Sequence, residues 1–193
     1  MLILTKYITI LKIWNMNNAS VPSVKREKVF LDTAFLASFS IFNHRDNQKA
    51  RKLLAELILK YDLYTSPLCF YELWQVVKRY YDFSRGNYHM IRKLNRMLKF
   101  IYLKILFEEI NFSFKQVIND LKSCTTQIIQ SKFITIISLT DRDISPALDA
   151  IGRFDTKPGD AFHFSSINSQ GIRSVVTGNK KDFGRMELNI IWF

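Results

Sequence analysis

Three carboxylates stand where an apolar strand should end or a helix should begin. They are Asp32 in Val29-Phe30-Leu31-Asp32-Thr33, Glu72 in Ser66-Pro67-Leu68-Cys69-Phe70-Tyr71-Glu72, and Asp160 in Pro158-Gly159-Asp160-Ala161. In a parallel α/β sheet the carboxyl ends of the strands share one edge. Acids far apart in the chain can therefore converge there on a hard cation that takes oxygen ligands. Such a cation neutralises a phosphodiester, lowers the pKa of bound water and stabilises a departing oxygen.

Each acid also has an ordinary use. Asp32 could cap a helix, and a glutamate such as Glu72 is unremarkable on an exposed helix. Asp160, after Lys157-Pro158-Gly159, has the position of an N-cap. Asp32 carries the metal reading best, because an acid closing a wholly apolar strand has few structural reasons to be there. His163, one turn beyond Asp160 and between Phe162 and Phe164, reads as packing more than as a ligand. Thr177-Gly178-Asn179-Lys180-Lys181-Asp182 ends a strand with a hydroxyl and a Gly-Asn turn. There Asn179 could orient a metal-bound water, and Asp182 is a fourth carboxylate or the cap of a short helix. Asp141, Asp143, Asp149 and Asp155 are dense enough that some only begin or end helices.

The elements that would position these residues alternate. Lys28 to Asp32 is apolar at consecutive positions, as in a central strand covered on both faces. A helix follows from about Asp46 to Lys60, a strand over Asp62 to Thr65, and a helix opening at Ser66-Pro67. A long helical region from about Gly86 to Ile110 puts Ile91, Leu94, Leu98, Ile101 and Ile105 on one face. Arg85, His89, Arg92, Arg96 and Lys99 lie on another. Further helices are expected over Phe114 to Ile129, Ser145 to Phe154 and Gly159 to Gln170, with strands over Phe133 to Leu139, Ser174 to Thr177 and Leu188 to Trp192. Strands alternating with helices predict a parallel sheet.

Composition fits a single core: the 193 residues are 48% hydrophobic and 14% aromatic. Lys and Arg outnumber Asp and Glu by 28 to 17, a formal +11, which favours a polyanionic partner. Eight of the cations fall between Lys78 and Lys104, against Asp82 as the lone acid there. Cys69 and Cys124 have no CxxC partner or zinc-finger spacing, so a reducing cytoplasm is expected. The apolar start, Met1 to Trp14, is broken by Lys6 and Lys12 and is too short to span a bilayer. No membrane role is expected, and residues 1–27 read as an extension outside the core.

Together these residues resemble the PIN-domain family and, within it, the VapC-like toxins of toxin–antitoxin pairs. Val29 to Phe39 is similar to the family's first motif, Ser66 to Val76 to its second, and Lys157 to Thr177 to its Asp-Ala helix and following strand. The resemblance implies a three-layer α/β/α sandwich with a parallel five-stranded sheet over residues 28–193, with a longer helical middle at about 84–130. It implies an endoribonuclease dependent on Mg²⁺ or Mn²⁺, with Asp32, Glu72 and Asp160 on the metal and Thr33 beside the first acid. Asn179 stands where many relatives have a fourth acid, leaving Asp182 to contribute. RNA would be held by Arg85, Arg92, Arg96 and Lys99. A small antitoxin and a homodimer are the implied protein partners. Ala34 argues against phosphatases of the haloacid dehalogenase kind, which carry a second acid two residues after the nucleophile. The rival is a non-catalytic RNA- or antitoxin-binding module with a degenerate metal site.

Overall fold

The computed structural model describes residues 26–41, 44–84 and 114–191. Strand β1 (Glu27–Leu31) is followed by helices α1 (Thr33–Ser40) and α2 (Asn47–Lys60), strand β2 (Tyr61–Thr65) and helix α3 (Pro67–Ser84). From Phe114, the next described residue, come α4 (Phe114–Ser131), β3 (Ile134–Ile136), a short 3-10 turn (Asp141–Asp143) and α5 (Ile144–Phe154). The chain then forms α6 (Pro158–Ser169), β4 (Ser174–Val176), α7 (Lys180–Gly184) and β5 (Asn189–Ile191).

The sheet has the order β3-β2-β1-β4-β5, and all its pairings are parallel. Helices α1 to α4 form one layer and α5 to α7 the other, so the molecule is a three-layer α/β/α sandwich. β1 lies at the centre, as its apolar run predicts. Val29, Phe30 and Leu31 are fully buried, and each such side chain contributes about 1.5–3 kcal/mol relative to exposure. A smaller cluster, Ala147, Ala150 and Ala161 with Phe154 and Phe162 against it, locks α5 to α6. Their small residues let the two backbones approach.

Two expectations change. The strand predicted over Phe133 to Leu139 pairs only at Ile134–Ile136, because it is an edge strand with β2 on one side alone. Thr135 is accordingly exposed rather than buried. A helix not anticipated, α1, begins directly after Asp32: Thr33-Ala34-Phe35-Leu36-Ala37 continues the apolar run of β1 and hides the boundary. The predicted helix at 86–110, with Arg85, Arg92, Arg96 and Lys99, lies outside the described residues. So do residues 1–25 and the side chain of Asp182. No helix among the described residues is long and apolar enough to cross a membrane.

Candidate metal centre

The sheet order reverses between β1 and β4. β1 leads through α1 and α2 to β2 on one side, whereas β4 pairs on the other. Open α/β sheets bind ligands in the crevice outside the carboxyl ends of strands at such a switch point. Here Asp32 leaves β1 and Thr177 leaves β4. The Asp32 N–H donates to Val176 O at 3.1 Å, and the Thr177 hydroxyl donates to Asp32 Oδ2 at 2.7 Å. The turn that frees this hydroxyl is stabilised by the Asn179 N–H, which donates to Thr177 Oγ1 at 2.8 Å.

Asp32 occupies the N-cap position of α1, yet its side chain makes no cap hydrogen bond. Its carboxylate lies at the carboxyl edge of the sheet, 5% exposed, and burial raises its pKa above the ordinary aspartate range. The charge of His163, the Thr177 hydroxyl and the Thr33 N–H oppose that rise without cancelling it.

Glu72 arrives from α3. Ser66 starts this helix: its hydroxyl accepts the Cys69 N–H at 3.4 Å, and Pro67 takes the first helical position. Glu72 Oε2 accepts from the Thr33 hydroxyl at 2.6 Å and from His163 Nε2 at 3.0 Å. Burial alone would raise the Glu72 pKa. The hydrogen bond and charge of His163, helped by Thr33 and Lys157, overcome it and hold the carboxyl below its ordinary value. His163 is fully buried, with its ring centroid 5.7 Å from that of Phe30. Burial works against a charged imidazole, but the Cys69 sulfur, Glu72 and Asp32 outweigh it and hold its pKa well above the ordinary value. The expected packing role is therefore incomplete, since the ring also anchors Glu72.

Asp160 is not a helix cap. Lys157 holds the N-cap position of α6 and Pro158 and Gly159 the first two helical positions, which leaves Asp160 third. Lys157 Nζ lies 3.8 Å from its carboxylate. Gly159 matters here, because a Cβ at that position would stand 2.8 Å from Glu72 Oε1. Its absence lets the start of α6 close on the glutamate.

Asp32 and Glu72 are thus neighbours at one edge of the sheet, linked through Thr33 and His163, with Asp160 in the first turn of the helix that closes on Glu72. Among the described residues the tightest group with metal-ligand atoms is a different one: Asp32, Cys69 and His163, all within 4.8 Å of one another. The three acids do not form so compact a set. A hard cation such as Mg²⁺ keeps several waters and binds through one or two carboxylates, so it does not require all three acids in one compact set. Asp143, from the further acidic group, is structural: it accepts from the Thr140 N–H and hydroxyl at 2.8 and 2.9 Å.

In the sequence Cys69 has neither a CxxC partner nor zinc-finger spacing, and Thr177 only ends a strand, so neither is assigned there to the site. Cys69 is three residues before Glu72 on the same helix, spacing that puts both on one face. That spacing was the available signal.

A sequence model of the PIN domain matches residues 29–188. A comparison with curated protein sequences finds no match. Among solved structures, the chain is similar to VapC20 of Mycobacterium tuberculosis, a sarcin–ricin loop cleaving toxin. That similarity has a TM-score of 0.52 and 16% identity, covering 81% of this chain and 93% of the other. VapBC2 from Rickettsia felis, bound to a promoter DNA fragment, gives 0.54 at 13% identity, covering 86% and 98%. FitAcB from Neisseria gonorrhoeae gives 0.51 at 11% identity, covering 84% and 96%.

Proposed function

The chain belongs to the PIN domain family, and we propose that it is a divalent-metal-dependent endoribonuclease, the toxin of a toxin–antitoxin pair. The observation that carries this reading is the carboxylate pair at the carboxyl edge of the sheet, beside the β1–β4 switch point. There a buried carboxylate, Asp32, is held by a hydroxyl at 2.7 Å, and Glu72 is fixed across from it. Asp32, Glu72 and Asp160 would hold Mg²⁺ or Mn²⁺, with Asn179 and Asp182 serving the water or a further ion. When bound, the cation supplies Lewis-acid polarisation of the phosphate and an activated water.

The protein's own groups do the positioning. Thr177 orients Asp32; Thr33 and His163 fix one oxygen of Glu72, which leaves Oε1 turned toward the start of α6. His163 spends its Nε2 hydrogen on Glu72 and so acts as a positioning residue rather than as the base that activates water.

RNA is the proposed substrate because the net charge of +11 favours a polyanion. Arg85, Arg92, Arg96 and Lys99 would grip its phosphates. A small antitoxin, a homodimer and a cytoplasmic setting complete the reading, in keeping with the likeness to a toxin in VapC20.

The deciding experiment is cleavage of total RNA by the purified protein with Mg²⁺ or Mn²⁺, with EDTA, and with Asp32→Asn. Cutting that needs the metal and is lost in the variant is the expected result. RNA bound but uncut under every metal would overturn the enzyme and leave a binding module. Separately, Arg92→Ala with Arg96→Ala should weaken RNA binding and flatten its salt dependence. Unchanged affinity would remove that helix from the RNA path.

A further inference from the structure

The oxygen-ligated cation gives Cys69 nothing to do. A hard ion has no use for a thiol, whose polar neighbours include the Ser66 hydroxyl at 3.6 Å and the Leu31 carbonyl at 3.7 Å. Yet the Cys69 sulfur, fully buried, lies 3.8 Å from His163 Nδ1, and Asp32 completes a group whose ligand atoms all fall within 4.8 Å. In a tetrahedral zinc centre, bonds of about 2.3 Å to sulfur and 2.0–2.1 Å to nitrogen place those two atoms roughly 3.5–3.6 Å apart. The spacing of 3.8 Å is a few tenths of an ångström from that.

The surroundings fit the same chemistry. A zinc-bound histidine normally donates its other ring N–H to a carboxylate, which fixes the ring and raises its basicity. His163 Nε2 already faces Glu72 Oε2 at 3.0 Å, and Thr33 holds that oxygen at 2.6 Å. A divalent ion on one thiolate, one carboxylate and a neutral imidazole sums to zero charge, which suits a pocket where all three residues are buried.

We propose that Cys69, His163 and Asp32 form a soft-metal site that takes Zn²⁺, with a water in the fourth position, and that its occupation withdraws Asp32 from the oxygen-ligated cation. Binding sends the protons on the thiol and on Nδ1 to solvent and leaves the Nε2–H on the ring, donating to Glu72 Oε2. The binding stands by itself; its inhibitory consequence rests on the nuclease reading above.

Cobalt titration of the full-length chain tests the site, since Co²⁺ reports both geometry and thiolate ligation. The expected result is a thiolate-to-cobalt charge-transfer band with the intense visible bands of a tetrahedral centre. The charge-transfer band should be lost in Cys69→Ser and retained in Cys124→Ser, which alters the chain's other cysteine. No such band in the unaltered protein, or one that survives Cys69→Ser, overturns the proposal. X-ray absorption on the zinc-loaded Cys124→Ser protein is independent of whether Cys69→Ser folds. One sulfur at about 2.3 Å supports the site; a shell of oxygen and nitrogen alone refutes it. Asp160→Asn separates the two readings, because it should lose Mg²⁺-supported cleavage while keeping the cobalt spectrum. If unaltered protein shows the cobalt bands but cuts no RNA, the zinc site holds and the nuclease falls. If it does cut RNA, Zn²⁺ should inhibit cleavage, and Cys69→Ser should need at least about tenfold more zinc for half-inhibition.

Discussion

Asp32 and Glu72 share one edge of the sheet and meet opposite electrostatic fates. Asp32 is 5% exposed and is given a hydroxyl, a backbone N–H and a more distant imidazole, which together fall short of the cost of burial. The Glu72 side chain is 31% exposed and has an imidazole bonded directly to it, which more than offsets its lesser burial. Desolvation disfavours the charged form of both, so the difference lies in the partner. The protein supplies Glu72 with a cation of its own. It leaves Asp32 short of one, which is the state expected of an anchor for an external metal.

The largest effects should come from breaking that asymmetry directly. Asp32→Asn keeps the shape and the Thr177 contact but removes the charge, and Mg²⁺-supported cleavage should fall by about 100-fold or more. Stability in EDTA should move the other way at neutral pH. A raised folded pKa means that the stability Asp32 contributes is present in acid and is lost as pH rises from the ordinary aspartate range through its raised value. Melting temperatures should therefore show Asp32→Asn gaining on the unaltered protein as pH increases.

Glu72→Gln should show the reverse slope. Its depressed pKa gives a contribution present above the ordinary glutamate range and lost as pH falls through the lowered value. The unaltered protein should thus lead Glu72→Gln near neutrality and lose that lead in acid. Parallel slopes for the two variants would abolish the comparison. Within the same half of the site, Thr33→Val removes a hydrogen bond to a charged group, an interaction of about 1.5–3 kcal/mol, and should lower Mg²⁺-supported cleavage by about 10- to 100-fold.

Thr177→Val tests the other half. Without its 2.7 Å donor, the Asp32 carboxyl should be harder still to ionise, and Mg²⁺ affinity measured by calorimetry should fall by roughly 10- to 100-fold. Thr177→Ser keeps the hydroxyl and should restore most of it. If Val and Ser behave alike, packing rather than the hydroxyl governs Asp32.

The two halves also differ in how far they could be read from the residues alone. Asp32 was legible because its signal is local: three apolar residues of β1 lead straight into an acid. Glu72 was legible only through its motif, since an acid on an aromatic helix is otherwise ordinary. The partners that set their charges were not legible. Thr177 meets Asp32 across 145 residues, and Cys69 meets His163 across 94, contacts that exist only once β4 pairs with β1 and α6 closes on α3. A thiol and an imidazole among phenylalanines look like core filling until that docking brings them together. The parallel sheet was accessible through alternation, but its strand order and the helix α1 were not. The apolar residues of α1 extend those of β1, with only Asp32 and Thr33 between.

The smallest expected effect separates function from stability most cleanly. Gly159→Ala adds one methyl group in the first turn of α6, where its backbone is already helical, so the fold should gain about 0.5–1 kcal/mol from the lower entropy of the unfolded chain. The same methyl group would stand 2.8 Å from Glu72 Oε1. Because Thr33 and His163 hold Oε2, the carboxylate cannot swing away without losing a donor, and either Glu72 or the start of α6 must shift by a fraction of an ångström. Cleavage should fall by less than about tenfold while the melting temperature stays about level, the entropic gain offsetting the strain of the extra methyl group. A loss of stability with full activity would mean that the closeness of α6 to Glu72 serves packing, and that Glu72 holds its position by its two donors alone.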